Sequence, residues 1–146
     1  MTYLLDTCIL SKLRRIAKFK DAKLQQWIER NRAHLYSISV FSIAEIQAGI
    51  AKLDDTLPDR KKYKAELENW LFNDLVPDFG GRILEFDLKV VHRWGTLVGE
   101  CKRKGINLAI IDSLIAATAL HHELTVVTEN RAGFEPTGVF LANPWD

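Results

Sequence analysis

Three acidic side chains sit in apolar surroundings that solvation alone explains poorly: Asp6 in Leu4-Leu5-Asp6-Thr7, Glu45 in Ile43-Ala44-Glu45-Ile46, and Asp112 in Ile110-Ile111-Asp112-Ser113-Leu114. Each has a bland reading by itself. Asp6 is placed to cap a helix beginning at Thr7 or Cys8. Asp112 is placed to favour a helix N-terminus through the dipole, and Glu45 to be a solvated helix residue. Taken together they ask for more, because Asp and Glu are rarely buried unless paired or metal-bound. Carboxylates gathered in one apolar setting repel unless a divalent cation neutralises them. Oxygen donors without a histidine favour Mg2+ or Mn2+ over zinc.

Other reactive side chains carry less. His121 and His122 follow the last turns of an apolar helix, where a cation suits the dipole, and His34 and His92 have no partner pattern. Thr7 and Ser113 flank the acids, either as caps or as donors to a phosphate. Cys8 and Cys101 each fall inside an apolar pattern and read as reduced core residues. Zinc-ligand spacing is absent.

The acids converge only if the elements around them form a parallel sheet, whose ligand sites lie beyond the carboxyl ends of the strands. Tyr3–Leu5 reads as a buried strand ending at Asp6, with a short helix over Cys8–Leu13. From Asp21, residues Leu24, Trp27 and Ile28 recur at helical spacing. Leu35–Ile38 reads as a second strand leading into a helix from Ser39 to about Leu53. A loop over Asp54–Asp59 follows, with Pro58 suited to a helix start. Leu67, Trp70, Leu71 and Leu75 predict a helix over Arg60–Leu75. Arg82–Phe86 is a third strand, and Asp87 caps a helix whose Val91, Trp94, Val98 and Cys101 form one stripe ending near Gly105. Ile110–Leu120 is a largely buried helix, Thr125–Thr128 a fourth strand, and Gly138–Leu141 a short fifth one. Strands alternating with helices predict an α/β fold, a parallel sheet of four to five strands sandwiched by helices.

At 146 residues the chain suits a single domain spanning residues 1–146. Its 47 % hydrophobic and 27 % charged residues exclude long disorder. A net charge of +1 gives no bulk signal for nucleic acid. The basic residues nevertheless cluster at Lys12–Lys20, at Arg60–Lys64 and at Lys102–Lys104, either as solvated helix faces or as tracks for phosphates. The N-terminus lacks a signal-peptide pattern, and no apolar run approaches the ~20 residues of a membrane span. The expectation is a cytoplasmic protein.

The sequence resembles the PIN-domain ribonucleases, most closely the VapC-type toxins, over essentially its full length. The matching pieces are Tyr3-Leu4-Leu5-Asp6-Thr7, Ser42-Ile43-Ala44-Glu45-Ile46 with Gly49, Asp112-Ser113-Leu114-Ile115-Ala116-Ala117-Thr118-Ala119, Leu124-Thr125-Val126-Val127-Thr128-Glu129-Asn130, Phe134-Glu135-Pro136-Thr137-Gly138-Val139, and Asn143-Pro144-Trp145. No single piece is specific; their order and spacing are. The resemblance implies that Asp6, Glu45 and Asp112 are the catalytic, metal-binding acids. It further implies Mg2+- or Mn2+-dependent endonucleolytic cleavage of RNA, a homodimer, and inhibition by a small, VapB-like, DNA-binding antitoxin.

One position departs from that family. The residue before Phe134 is normally acidic or histidine, and here it is Gly133. On this reading a fourth polar ligand is missing, Glu129 or Glu135 is available to compensate, and Gly133→Asp is expected to raise activity. Asn130 is either a holder of water at the metal or a turn residue. The departure also admits a weakened or inactive PIN-fold module that binds RNA or an antitoxin without cutting. A haloacid-dehalogenase-like phosphatase is disfavoured, because it needs a second Asp where this chain has Cys8.

Overall fold

The computed structural model describes residues 2–15, 21–31 and 36–146, with Arg15 described for its backbone only. Lys18 and Lys20 of the first basic cluster, His34 and Leu35 lie outside the described residues. In chain order the elements are β1 (Tyr3–Leu5), α1 (Thr7–Arg15), α2 (Ala22–Arg30), β2 (Tyr36–Ser39), α3 (Val40–Ala51), α4 (Pro58–Asn69), α5 (Val76–Phe79), β3 (Ile83–Leu84), α6 (Leu88–Arg103), α7 (Ile110–His122), β4 (Thr125–Val127), α8 (Arg131–Phe134) and β5 (Leu141–Ala142). All strand pairs are parallel, and the five strands lie in the order β3-β2-β1-β4-β5. Leu5 pairs with Val127 in register, which brings the carboxyl ends of β1 and β4 side by side.

Alternation along the strands builds a core on each face of the sheet. Leu4 and Val126 point toward α6 and α7, packing with Val90, Ile115 and Phe134. Leu5, Val127 and Ile38 point the other way, onto Ile9, Leu24, Ile46 and Leu71. The sandwich expected from the sequence is therefore present.

Several boundaries differ from the sequence reading. The helix expected over Arg60–Leu75 starts earlier, at Pro58, whose absent N–H falls where a helix has none to satisfy. It ends in a wide π turn, Trp70–Leu75, in which the Val76 N–H reaches back to the Leu71 carbonyl. Pro77 supplies the reason: it has no N–H to give and its ring crowds the preceding turn. The third strand is only Ile83–Leu84, because Gly80–Arg82 form a 3-10 turn. The fifth strand lies at Leu141–Ala142 rather than Gly138–Leu141, because Gly138 takes a left-handed conformation (φ 78°) that ends the preceding turn. On α6 the buried stripe runs through Val90, Leu97 and Cys101, while Val91 is 43 % exposed. The Asp87 cap, accepting from the Val90 N–H at 3.0 Å, is as expected. Among the described residues no helix is long and apolar enough to cross a membrane.

Candidate active site

Topology brings the acids to one end of the sheet. Asp6 follows β1 directly, and its N–H donates to the Val127 carbonyl at 3.0 Å, fixing it beside the end of β4. Glu45 comes from α3, which leaves the carboxyl end of β2. α7 feeds β4 and runs against the strand direction, so its first turn, with Asp112, lies at that same end.

Asp6 is 5 % exposed, and its carboxylate is tied on both oxygens. Oδ1 accepts the Thr7 N–H at 2.8 Å. Oδ2 accepts the Thr128 hydroxyl at 2.8 Å and the Cys8 thiol at 3.5 Å. The Thr7 hydroxyl donates to Ser42 at 3.0 Å, joining the start of α1 to α3. Ser42 and Glu45 are three residues apart and share a helix face. Glu45 is exposed, which corrects the view that its apolar neighbours bury it: Ala44 beside it is exposed as well. Asp112 is half-buried; burial, then the charges of Asp6 and of Glu45, push its carboxyl up to about 6. That influence places Asp6 and Glu45 each within electrostatic reach of Asp112.

Ion pairs among the described residues join Lys12 to Glu129, Lys64 to Asp55, and Arg131 to Glu135 and Asp146, and none involves these acids. Also among the described residues, no three histidine, cysteine or acidic side chains are drawn together closely enough to hold a metal ion as they stand. The donor set fits a hard divalent cation: carboxylate oxygens carrying excess negative charge, with no ion pair to them among the described residues.

The remaining candidates fall into place around the acids. Ser113 is spent on structure: it is buried, donating to the Ile110 carbonyl at 2.6 Å and accepting from the Trp94 indole at 2.8 Å. His121 and His122 meet edge to face at the far end of α7, about 15 Å along the helix from Asp112, too far for proton transfer there. Cys101 is buried in the core, whereas Cys8 is only partly buried and belongs to the surroundings of Asp6. Burial and the Asp6 charge push the Cys8 thiol up to about 11, which keeps it a neutral donor.

Glu129 and Glu135 are paired with Lys12 and Arg131. Asn130 occupies the place of the missing acid: its Nδ2 donates to Oδ2 of Asp112 at 3.2 Å. The sequence reading missed Thr128 and Cys8, and the only signal for them was their closeness in sequence to Asn130 and Asp6. Beside the acids a cavity of about 340 Å³ is lined by Thr7, Arg14, Glu45, Tyr63 and Trp70, among others.

A PIN-domain family profile matches residues 3–137 of the chain. The chain belongs to the PIN-domain family. Among its relatives, the VapC ribonuclease Y4jK of Sinorhizobium fredii is 30 % identical over 97 % of this chain and 96 % of its own. The toxin FitB of Neisseria gonorrhoeae is 32 % identical over 97 % of each. Among solved structures, that of FitAB bound to an IR36 DNA fragment matches this PIN domain with a TM-score of 0.82 at 28 % identity, covering 99 % of this chain and 96 % of the other.

Proposed function

We propose that this PIN domain is a divalent-metal-dependent endoribonuclease acting as the toxin of a toxin–antitoxin pair, with Asp6, Glu45 and Asp112 as its metal-binding acids. The observation that carries the reading is the convergence of these acids on the carboxyl end of the sheet, with none of them in an ion pair among the described residues. A bound Mg2+ or Mn2+ would supply Lewis acidity there, making a water more acidic and offsetting charge on a phosphodiester. The protein's own side chains provide the rest. Thr128 and the Thr7 N–H fix both oxygens of Asp6. Burial, then the charges of Asp6 and Glu45, raise the pKa of Asp112, and a cation beside it would favour its ionised form. In the adjoining cavity the Arg14 guanidinium lies 5.8 Å from the ring centres of Tyr63 and of Trp70, and this cationic, aromatic lining suits the phosphates and bases of single-stranded RNA.

A cognate VapB-like, DNA-binding antitoxin, a homodimer and a cytoplasmic location go with this reading. The resemblance to toxins of the VapC and FitB type supports them. Leu88 and Ile110, 83 % and 69 % exposed at the starts of α6 and α7, are apolar surface that a second copy would cover. Light scattering that finds a monomer at every concentration would remove the dimer.

The test is cleavage of a mixed RNA pool by the purified protein with Mn2+, with Mg2+ and with EDTA, alongside Asp6→Ala and Asp112→Ala. Cuts that need metal and vanish in both variants are expected; equal cutting by all three proteins overturns the reading. Gly133, which brings no carboxylate, favours a second reading in which the module binds without cutting. On that reading wild type cuts nothing and binds Mn2+ no better than Asp6→Ala.

A further inference from the structure

Asn130 and Gly133 occupy the corner of the site where the family pattern places an acid, and here the two are packed together against Asp112. A methyl group on the α-carbon of Gly133 would lie 2.5 Å from Nδ2 of Asn130, 2.7 Å from Oδ2 of Asp112 and 3.1 Å from Cγ of Asn130. A side chain there requires the Asn130 amide or the Asp112 carboxylate to shift from the position it holds. Backbone freedom does not explain the glycine, because Gly133 is helical and the positive-φ glycines are Gly80, Gly105 and Gly138. The space itself is what the glycine provides.

The carboxamide is oriented by its partners. Oδ1 accepts the Gly133 N–H at 3.3 Å, which leaves Nδ2, a donor only, facing the acceptor-only carboxylate of Asp112 at 3.2 Å. The Asn130 N–H donates in turn to the Thr128 hydroxyl at 3.0 Å, and that hydroxyl donates to Asp6 at 2.8 Å. Asp112 on α7 and Asp6 after β1 are thus linked through one turn.

We propose that Asn130 is a positioning residue that replaces the absent fourth acid by holding Asp112 in line with Asp6, and that Gly133 is the space it requires. The proposal rests on the metal-nuclease reading above. It reverses the expectation that Gly133→Asp raises activity, since the new side chain displaces the amide already holding Asp112.

Mn2+ affinity by calorimetry and the kcat and KM of RNA cleavage test it. Asn130→Ala and Gly133→Asp should each weaken Mn2+ binding about 10-fold or more, in the range seen when groups supporting a metal ligand are removed, with kcat falling and KM for RNA little changed. Gly133→Ala should weaken it too, without loss of thermal stability, because Ala favours a helix over Gly. Asn130→Ala/Gly133→Asp, which removes the amide obstruction, leaves only the Asp112 carboxylate to shift aside and restores a carboxylate, should recover to within about 3-fold of wild type. Wild-type Mn2+ affinity in Asn130→Ala or Gly133→Ala overturns the proposal. A readout without metal separates it from the nuclease reading. In EDTA, the Asn130 side-chain amide resonance should move in both Gly133→Ala and Asp112→Asn. Failure of wild type to bind Mn2+ while that amide moves sinks the nuclease reading and leaves the amide contact standing; an unmoved amide sinks the pairing itself.

Discussion

Burial and the charges of Asp6 and Glu45 raise the Asp112 carboxyl from 3.8 to about 6, and this ties stability to pH in a definite direction. The folded protein holds the proton more tightly than the unfolded chain does. That stabilisation is complete below about 3.8 and is lost as pH rises through about 6. Without metal, Asp112→Asn is therefore expected to stabilise the protein at pH 7.5 by on the order of 1 kcal/mol, after discounting for partial exposure, and by less at pH 5. Melting curves in EDTA at the two pH values check this, and a variant less stable than wild type at pH 7.5 contradicts the assignment. Thr128→Val removes a buried donor to Asp6 and an acceptor for the Asn130 N–H. It should cost about 2 kcal/mol of stability in denaturant titration and weaken Mn2+ binding as well. Asp6 and Asp112 were legible in the sequence because an acid inside an apolar string is conspicuous. Thr128 was not, because its bond to Asp6 spans 122 positions and leaves no local pattern.

Among the elements, periodicity located helices better than it located their limits or faces. The Asp87 cap and the helix after it were readable, since a capping Asp followed by an apolar stripe is a local signal. The stripe was assigned one residue out of place, through Val91 instead of Val90, because two adjacent valines satisfy helical spacing equally. The strands Ile83–Leu84 and Leu141–Ala142 are too short to leave a period of their own. Asp87 provides a test that separates the scaffold from the site. Asp87→Ala loses the bond to the Val90 N–H and should cost about 1 kcal/mol in thermal or urea unfolding. Mn2+ affinity should be unchanged, since the cap contributes to helix α6 and makes no contact with the acids. A large loss of affinity in that variant would show that α6 reaches the site.

For the molecule as a whole, alternation of strands and helices was enough to expect a parallel sandwich, but the strand order β3-β2-β1-β4-β5 was not readable. That order arises from long-range pairing, and it is what sets β1 beside β4 and brings Asp6 to Thr128. It also explains why acids distant in sequence, at positions 6, 45 and 112, share one end of the sheet. The charge they gather should make the fold itself sensitive to a divalent ion. Ligands that bind only the folded state raise stability by about 2.7 kcal/mol at a hundredfold excess over Kd. The most direct test of the account is the melting temperature of the purified protein over a Mn2+ titration, for wild type and for Asp6→Ala, Glu45→Ala and Asp112→Ala. A saturable rise is expected in wild type, lost or greatly weakened in each variant. An equal rise in all four proteins, or none in wild type, would contradict the claim that these acids together form a metal site.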